Sequence, residues 1–198
     1  MWSLIRNGLV GALMKHRLGV QMGIVMILLS IGLAVPLGQA TDVSKELAVK
    51  YLLVTVKAFR TVYVENIVEH VKKVGIQPTE DWLKDDHAVM LPFQFVKLAA
   101  VQIRHDVKDL EVGLISLTPI YTSNLPKTQA EVDALQKMMA DPKHQILTFA
   151  DGNQFKGLAA DFAIEQACAD CHNHHPKSTK RDFKKGDVMG AIVVRLKK

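Results

Sequence analysis

Two cysteines in 198 residues are too few for a disulfide framework, so stability has to come from an apolar core. Glycine-based signatures are missing as well. There is no G-x-S-x-G nucleophile elbow, no Walker phosphate loop and no Rossmann glycine pattern, which removes the usual sequence support for a serine hydrolase, a P-loop enzyme or a dinucleotide enzyme. No internal repeat or low-complexity tract breaks the chain. Acids are absent from residues 1–41, and charge of either sign is absent from Leu18 to Ala40. What is present is 48% hydrophobic and 23% charged residues, a composition that excludes a wholly disordered chain and supplies one domain with a core.

The net charge of +5 does not point to nucleic acid, because it is carried at the two ends. Residues 1–41 hold Arg6, Lys15 and Arg17, and residues 177–198 hold eight bases against two acids. Between them, residues 42–176 hold 14 bases against 18 acids, and a body of that sign does not attract a phosphate backbone. The basic tail reads as a solvated surface, with docking to an acidic redox partner or to anionic lipid as its sharper reading.

The 23 uncharged residues from Leu18 to Ala40 would span roughly 30 Å as a helix, the thickness of a bilayer core. With its only flanking charges basic and amino-terminal, the run is expected to keep Met1 in the cytoplasm and send the body outside. A cleaved secretory signal is the competing reading, since Gly38-Gln39-Ala40 offers small residues and Pro36 ends the helix. The length of the run favours a retained anchor. The expected organisation is therefore a stub and anchor over residues 1–41 and an extracytoplasmic domain over residues 42–198, single-pass in the inner membrane and facing the periplasm.

In the body, Thr41 or Asp42 caps a long helix whose apolar stripe is Leu47, Tyr51, Val54, Ala58, Val62 and Tyr63, running to about Lys73. Pro92 opens a second helix ending near His105, and Thr128 with Glu131 forms a possible capping box for a third, over 128–139. Residues 110–117, 145–150, 155–162 and 188–196 read as strands. Helices first and a mainly antiparallel sheet afterwards predict an α+β fold.

The chemistry is concentrated in Cys168-Ala169-Asp170-Cys171-His172, a C-x-x-C-H motif that reads as a c-type haem attachment site. Two thiols three residues apart on a helical turn can meet the two vinyl groups of one porphyrin, and the next residue offers an imidazole to the iron. Three alternatives stay open at this point. They are a thioredoxin-like dithiol, a zinc site that adds two of His172, His174 and His175, and a plain disulfide.

The segment Ala167–Val194, with Asn173, His175-Pro176 and Gly186-Asp187-Val188-Met189-Gly190-Ala191 around that motif, resembles the single-haem c family with a PAS-like fold. Arg60-Thr61-Val62-Tyr63, Asn66-Ile67-Val68, Leu91-Pro92, Ile115-Ser116-Leu117 and Asn124-Leu125-Pro126-Lys127-Thr128 extend the likeness over about residues 45–196. That family includes a free cyanobacterial cytochrome and the extracytoplasmic sensor domains of chemoreceptors and histidine kinases. The resemblance implies one haem c held between the sheet and the long first helix. Two departures stand out: the sequence ends at Lys198 where sensor relatives continue, and it has no third cysteine to act as a distal ligand.

His172 is thus the expected proximal ligand. For the sixth position the candidates are His70 first, then Met90, His105 and Tyr63, with an open or water-bound site as the alternative. Arg60 could pair with a propionate, and His175 or His174 could hydrogen-bond near the haem. Met138-Met139 reads as core packing. The expected function is that of a membrane-anchored monohaem cytochrome c, not an enzyme, passing single electrons to a redox partner protein or membrane complex. A haem-based redox or gas sensor acting through a separate partner is the alternative.

Overall fold

The computed structural model describes residues 43–197 apart from 142 and 144. The expected membrane span, Leu18–Ala40, lies outside the described residues, as do the expected caps Thr41 and Asp42. No helix among the described residues is long and apolar enough to cross a membrane.

Helix α1 (Lys45–Val62) starts at Ser44, whose hydroxyl accepts the Leu47 amide and so satisfies one of the free N–H groups of the first turn. It continues through one π-helical turn (Tyr63–Val68) into the short α2 (Glu69–Lys72). A parallel pair, β1 (Gln77–Thr79) and β2 (Ala88–Met90), leads to α3 (Pro92–Asp106), which opens on a proline where a missing N–H costs nothing. Then come β3 (Leu110–Ile115), α4 (Gln129–Ala140), β4 (Ile146–Asp151), β5 (Gln154–Phe162), α5 (Gln166–His174) and β6 (Val188–Lys197). The main sheet is antiparallel throughout in the order β3-β6-β5-β4. The expected α+β class holds, and the four strands and three long helices read from the sequence are all present to within a few residues. The β1–β2 pair and the π turn are additions.

The apolar stripe expected on α1 is not the one that packs on the sheet. Val49 and Leu53 are fully buried against Leu110, Val112, Ala159, Ile192 and Val194, while Leu47, Tyr51, Val54 and Val62 face solvent. Both sides of this helix are apolar, and the choice between them is made by the partner surface. A Cβ at Gly157 would lie 2.5 Å from Val49 Cγ1 and 2.7 Å from Leu53 Cδ1, so this glycine opens the notch into which those two side chains drop. Gly157→Ala is expected to destabilise the fold by about 1–3 kcal/mol, because both neighbours are fully enclosed and have nowhere to yield. Urea unfolding would measure it, and an unchanged midpoint would show that α1 can lift away from the sheet.

On the opposite face of the sheet, Leu135 and Met138 of α4 pack over Ile115, Leu158, Ala160, Ala191 and Val193, which places Met138 in the core. Thr128 does cap α4, accepting the Glu131 amide, but the return half of the expected capping box differs. The Glu131 carboxylate takes the Lys127 amide at 2.8 Å and spends its remaining capacity on two buried cations, Lys156 and Arg195.

Candidate functional site

Helix α5 lies in an excursion of the chain between the antiparallel neighbours β5 and β6. The excursion is closed at its neck by two backbone bonds, Ala163 N–H to Asp187 O and Gly186 N–H to Ala163 O, both 2.9 Å. Ala169 is the inward face of α5, packed with Ala163, Phe183 and Met189. Asn173 then fixes the returning strand of the excursion, its amide donating to Phe183 O at 2.8 Å and accepting from Phe183 N–H at 2.9 Å. Arg181 adds bonds to the carbonyls of Asn173 and Pro176. These contacts press the Phe183 ring edge-on to the His172 imidazole, with centroids 5.8 Å apart, which limits how that imidazole can turn.

Cys168, Cys171 and His172 all line one cavity of about 330 Å³. Its far wall comes from α1 and the turn after it. Because the π turn closes its hydrogen bonds five residues apart rather than four, residues at four-residue spacing stay in line, and Arg60, Val64, Val68 and Lys72 all reach the cavity. Leu114, Ile115 and Gly190 supply part of the sheet side. A Cβ at Gly190 would collide with Ile115 O, so only glycine lets β6 run this close to the end of β3 at the cavity rim.

Arg60 is buried, and its Nη1 lies 3.1 Å from Asp161 Oδ1. Burial pushes the Asp161 carboxyl up, against the pull of Arg60 and Lys57. Two buried polar atoms have no partner among the described residues: Arg60 Nε and His172 Nδ1. Burial, then the nearby His175 and Arg60 charges, hold His172 below the usual histidine range, so its imidazole is neutral at pH 7 and keeps a lone pair for a metal. Burial, then Glu80 and Cys168, push the Cys171 thiol up. Both thiols are free.

This geometry bears on the alternatives. A redox dithiol wants a depressed thiol at a βαβ crossover; here the thiol is raised and the flanking strands are antiparallel. Among the described residues no three His, Cys, Asp or Glu side chains converge as a metal site. A flat, mainly apolar group with a ligatable iron and acidic side groups suits the donor set better. It would place two thiols and an imidazole on one side and give Arg60 a partner for its spare N–H.

The other residues singled out in the sequence sit elsewhere. Tyr63 turns away from the cavity, donating its hydroxyl to Met90 O at 2.8 Å and stacking on Phe95 at 4.7 Å between centroids. His70 is exposed and, like Tyr63, does not line the cavity. Met90 lies in β2 outside the cavity, and His105 is exposed beside Asp106. His174 bonds back to Asp170 O. His175 stands one layer behind the wall, edge-on to Tyr121 at 5.9 Å and 3.8 Å from Glu80. Tyr121 itself lines the cavity and donates to both Glu80 oxygens at 2.7 Å, a bond that leads in raising its hydroxyl to about 12.

Asp161, Phe183 and the Tyr121–Glu80 pair are not apparent from the sequence. Asp161 alone leaves a trace there, as an acid in an otherwise apolar strand that needs a cation when buried.

The profile of the Tll0287-like family matches residues 39–196. Among solved structures the chain is similar to "the cyanobacterial heme-protein Tll0287", with a TM-score of 0.55 and 16% identity, over 79% of this chain and 98% of that one. That likeness is one of fold. No curated protein matches the sequence significantly.

Proposed function

Because this chain belongs to the Tll0287-like family, we propose that it is a monohaem c-type cytochrome that transfers single electrons. The observation that carries the reading is the joint placement of Cys168, Cys171 and His172 on one cavity, opposite a buried arginine with a spare donor. Cys168 and Cys171 would hold the group covalently, His172 would ligate its iron, and Arg60 would take a propionate. A bound haem would supply a one-electron iron couple.

The chain's own residues do the rest. Phe183 limits rotation of the imidazole, and the Asp161 carboxylate holds the Arg60 guanidinium in place so that the arginine does not have to be ordered by its ligand. Val64, Val68 and Leu114 line part of the site with apolar side chains that suit the face of such a group. The uncharged run Leu18–Ala40 supports attachment to the inner membrane with this domain in the periplasm, where a redox protein or membrane complex would be its partner.

One observation favours the second reading, a haem-based sensor. His70, Met90, His105 and Tyr63 all lie outside the cavity, so none of the four supplies a sixth ligand from where it stands. Optical spectra of the oxidised and reduced protein, with and without carbon monoxide, separate the two. A low-spin spectrum in both states, unmoved by carbon monoxide, is the expected result for a carrier. Rapid carbon monoxide binding by the reduced protein would transfer the weight to sensing. Absence of any haem spectrum from cells competent for cytochrome c maturation would remove both.

A further inference from the structure

Helix α1 has an apolar face that no element of this domain covers. Tyr51 is 60% exposed, Val54 51% and Val62 53%, with Val43, Leu47 and Ala58 along the same line and no charged residue among them. The face lies opposite Val49 and Leu53, the pair sunk into the sheet. A helix with one apolar stripe is satisfied by its own domain, whereas a second stripe on the far side calls for a second partner.

We infer that this face pairs with the same face of a second copy of the chain, as two parallel α1 helices. The spacing is the first reason. Leu47, Tyr51, Val54 and Ala58 alternate four and three residues apart, the d-a-d-a pattern by which identical helices interdigitate. The flanks are the second reason, because an identical face doubles whatever charge it carries. Here Lys50 is neutralised by Glu46 on its own helix, and Lys57 is turned back onto its own domain, donating to Gln145 at 3.1 Å and lying over the Phe162 ring. Self-pairing therefore leaves both lysines engaged within their own domain rather than facing each other across the seam.

The third reason concerns direction. The uncharged run ends at Ala40, three residues before Val43. If that run is the anchor, as the proposed function holds, both copies are tethered to one membrane at their amino-terminal ends, which favours a parallel pair over an antiparallel one. Two heptads are a short seam in free solution, but co-confinement in a membrane raises the effective concentration to about the millimolar range. The pairing itself does not depend on haem. It does meet the site, since α1 carries the seam on its outer side and Arg60 of the cavity near its carboxy end.

The test uses the full chain in its own membranes. Val54→Cys is expected to give a disulfide-linked species of twice the chain mass on mild oxidation, while Phe59→Cys, exposed but off the seam, and the unaltered chain give none. Equal yields from positions 54 and 59, a cross-link only to other proteins, or no cross-link would overturn the proposal. In detergent or nanodiscs, the double substitution Tyr51→Glu and Val54→Glu is expected to convert a sedimenting dimer to a monomer with an unchanged visible spectrum. An unaltered chain that sediments as a monomer in nanodiscs would also overturn it. A dimer without haem would instead count only against the proposed function.

Discussion

Replacing Cys168 and Cys171 together with alanine is expected to leave no haem on the denatured chain, against about one per chain in the unaltered protein. The expectation rests on placement. Both thiols stand on α5 three residues apart, hence on one side of the helix, and both line the cavity. A single substitution at either position should keep the group attached by the other thiol, and His172→Gln should leave both attachment points while removing the imidazole. Mass spectrometry after denaturation, paired with the visible spectrum, distinguishes these cases. Wild-type protein of unmodified mass from a cell that matures c-type cytochromes would remove the central claim. Tightly held zinc in its place would restore an alternative that the geometry disfavours.

Much of this site is legible in the amino-acid sequence, because its chemistry is local. Five consecutive residues carry the thiols and the imidazole, and a helical turn is enough to present them together. The fold class is legible for a similar reason, since strands at 110–115, 146–151, 154–162 and 188–197 show as short apolar runs between turn residues. What the sequence hides depends on distant partners. The buried side of α1 is selected by Gly157, more than a hundred residues away, and helical periodicity cannot rank two apolar stripes on one helix. The π turn over Tyr63–Val68 keeps Arg60, Val64, Val68 and Lys72 in line towards the cavity, whereas Tyr63 and His70, which a regular helix would place on one face, both lie off that line. Arg60 can be singled out in the sequence as a candidate propionate partner, but Asp161, which holds it, is paired with it only by the packing of β5 beside α1.

The largest stability effect is expected on the other face of the sheet, at Glu131. This carboxylate is fully buried and accepts from Arg195 Nε at 2.7 Å, Arg195 Nη2 at 2.8 Å and Lys156 Nζ at 2.8 Å. Lys156 also reaches Asp151, and Arg195 also reaches Glu111, but those two acids are partly exposed, so Glu131 is the fully buried counter-charge that the two buried cations share. Burial alone would raise the Glu131 carboxyl, but the bonds from Arg195 and Lys156 outweigh it and hold it at about 2, below the ordinary 4.5. Glu131→Gln keeps the shape and removes the charge, leaving Arg195 and Lys156 without the buried carboxylate that lies between them. Losing one partner of a buried ion cluster costs about 3–5 kcal/mol, a fall in Tm on the order of 10 °C for a domain of this size. The pH dependence follows from the sign of the shift. A carboxyl lowered in the folded state contributes in full above about 4.5, and that contribution is lost as the pH falls towards about 2. The gap between wild type and Glu131→Gln should therefore be widest near neutrality and narrow steadily below pH 4.5. Urea unfolding over a pH series reads this directly, and a gap that stayed constant down to about pH 2 would mean that the glutamate acts through packing rather than through its charge.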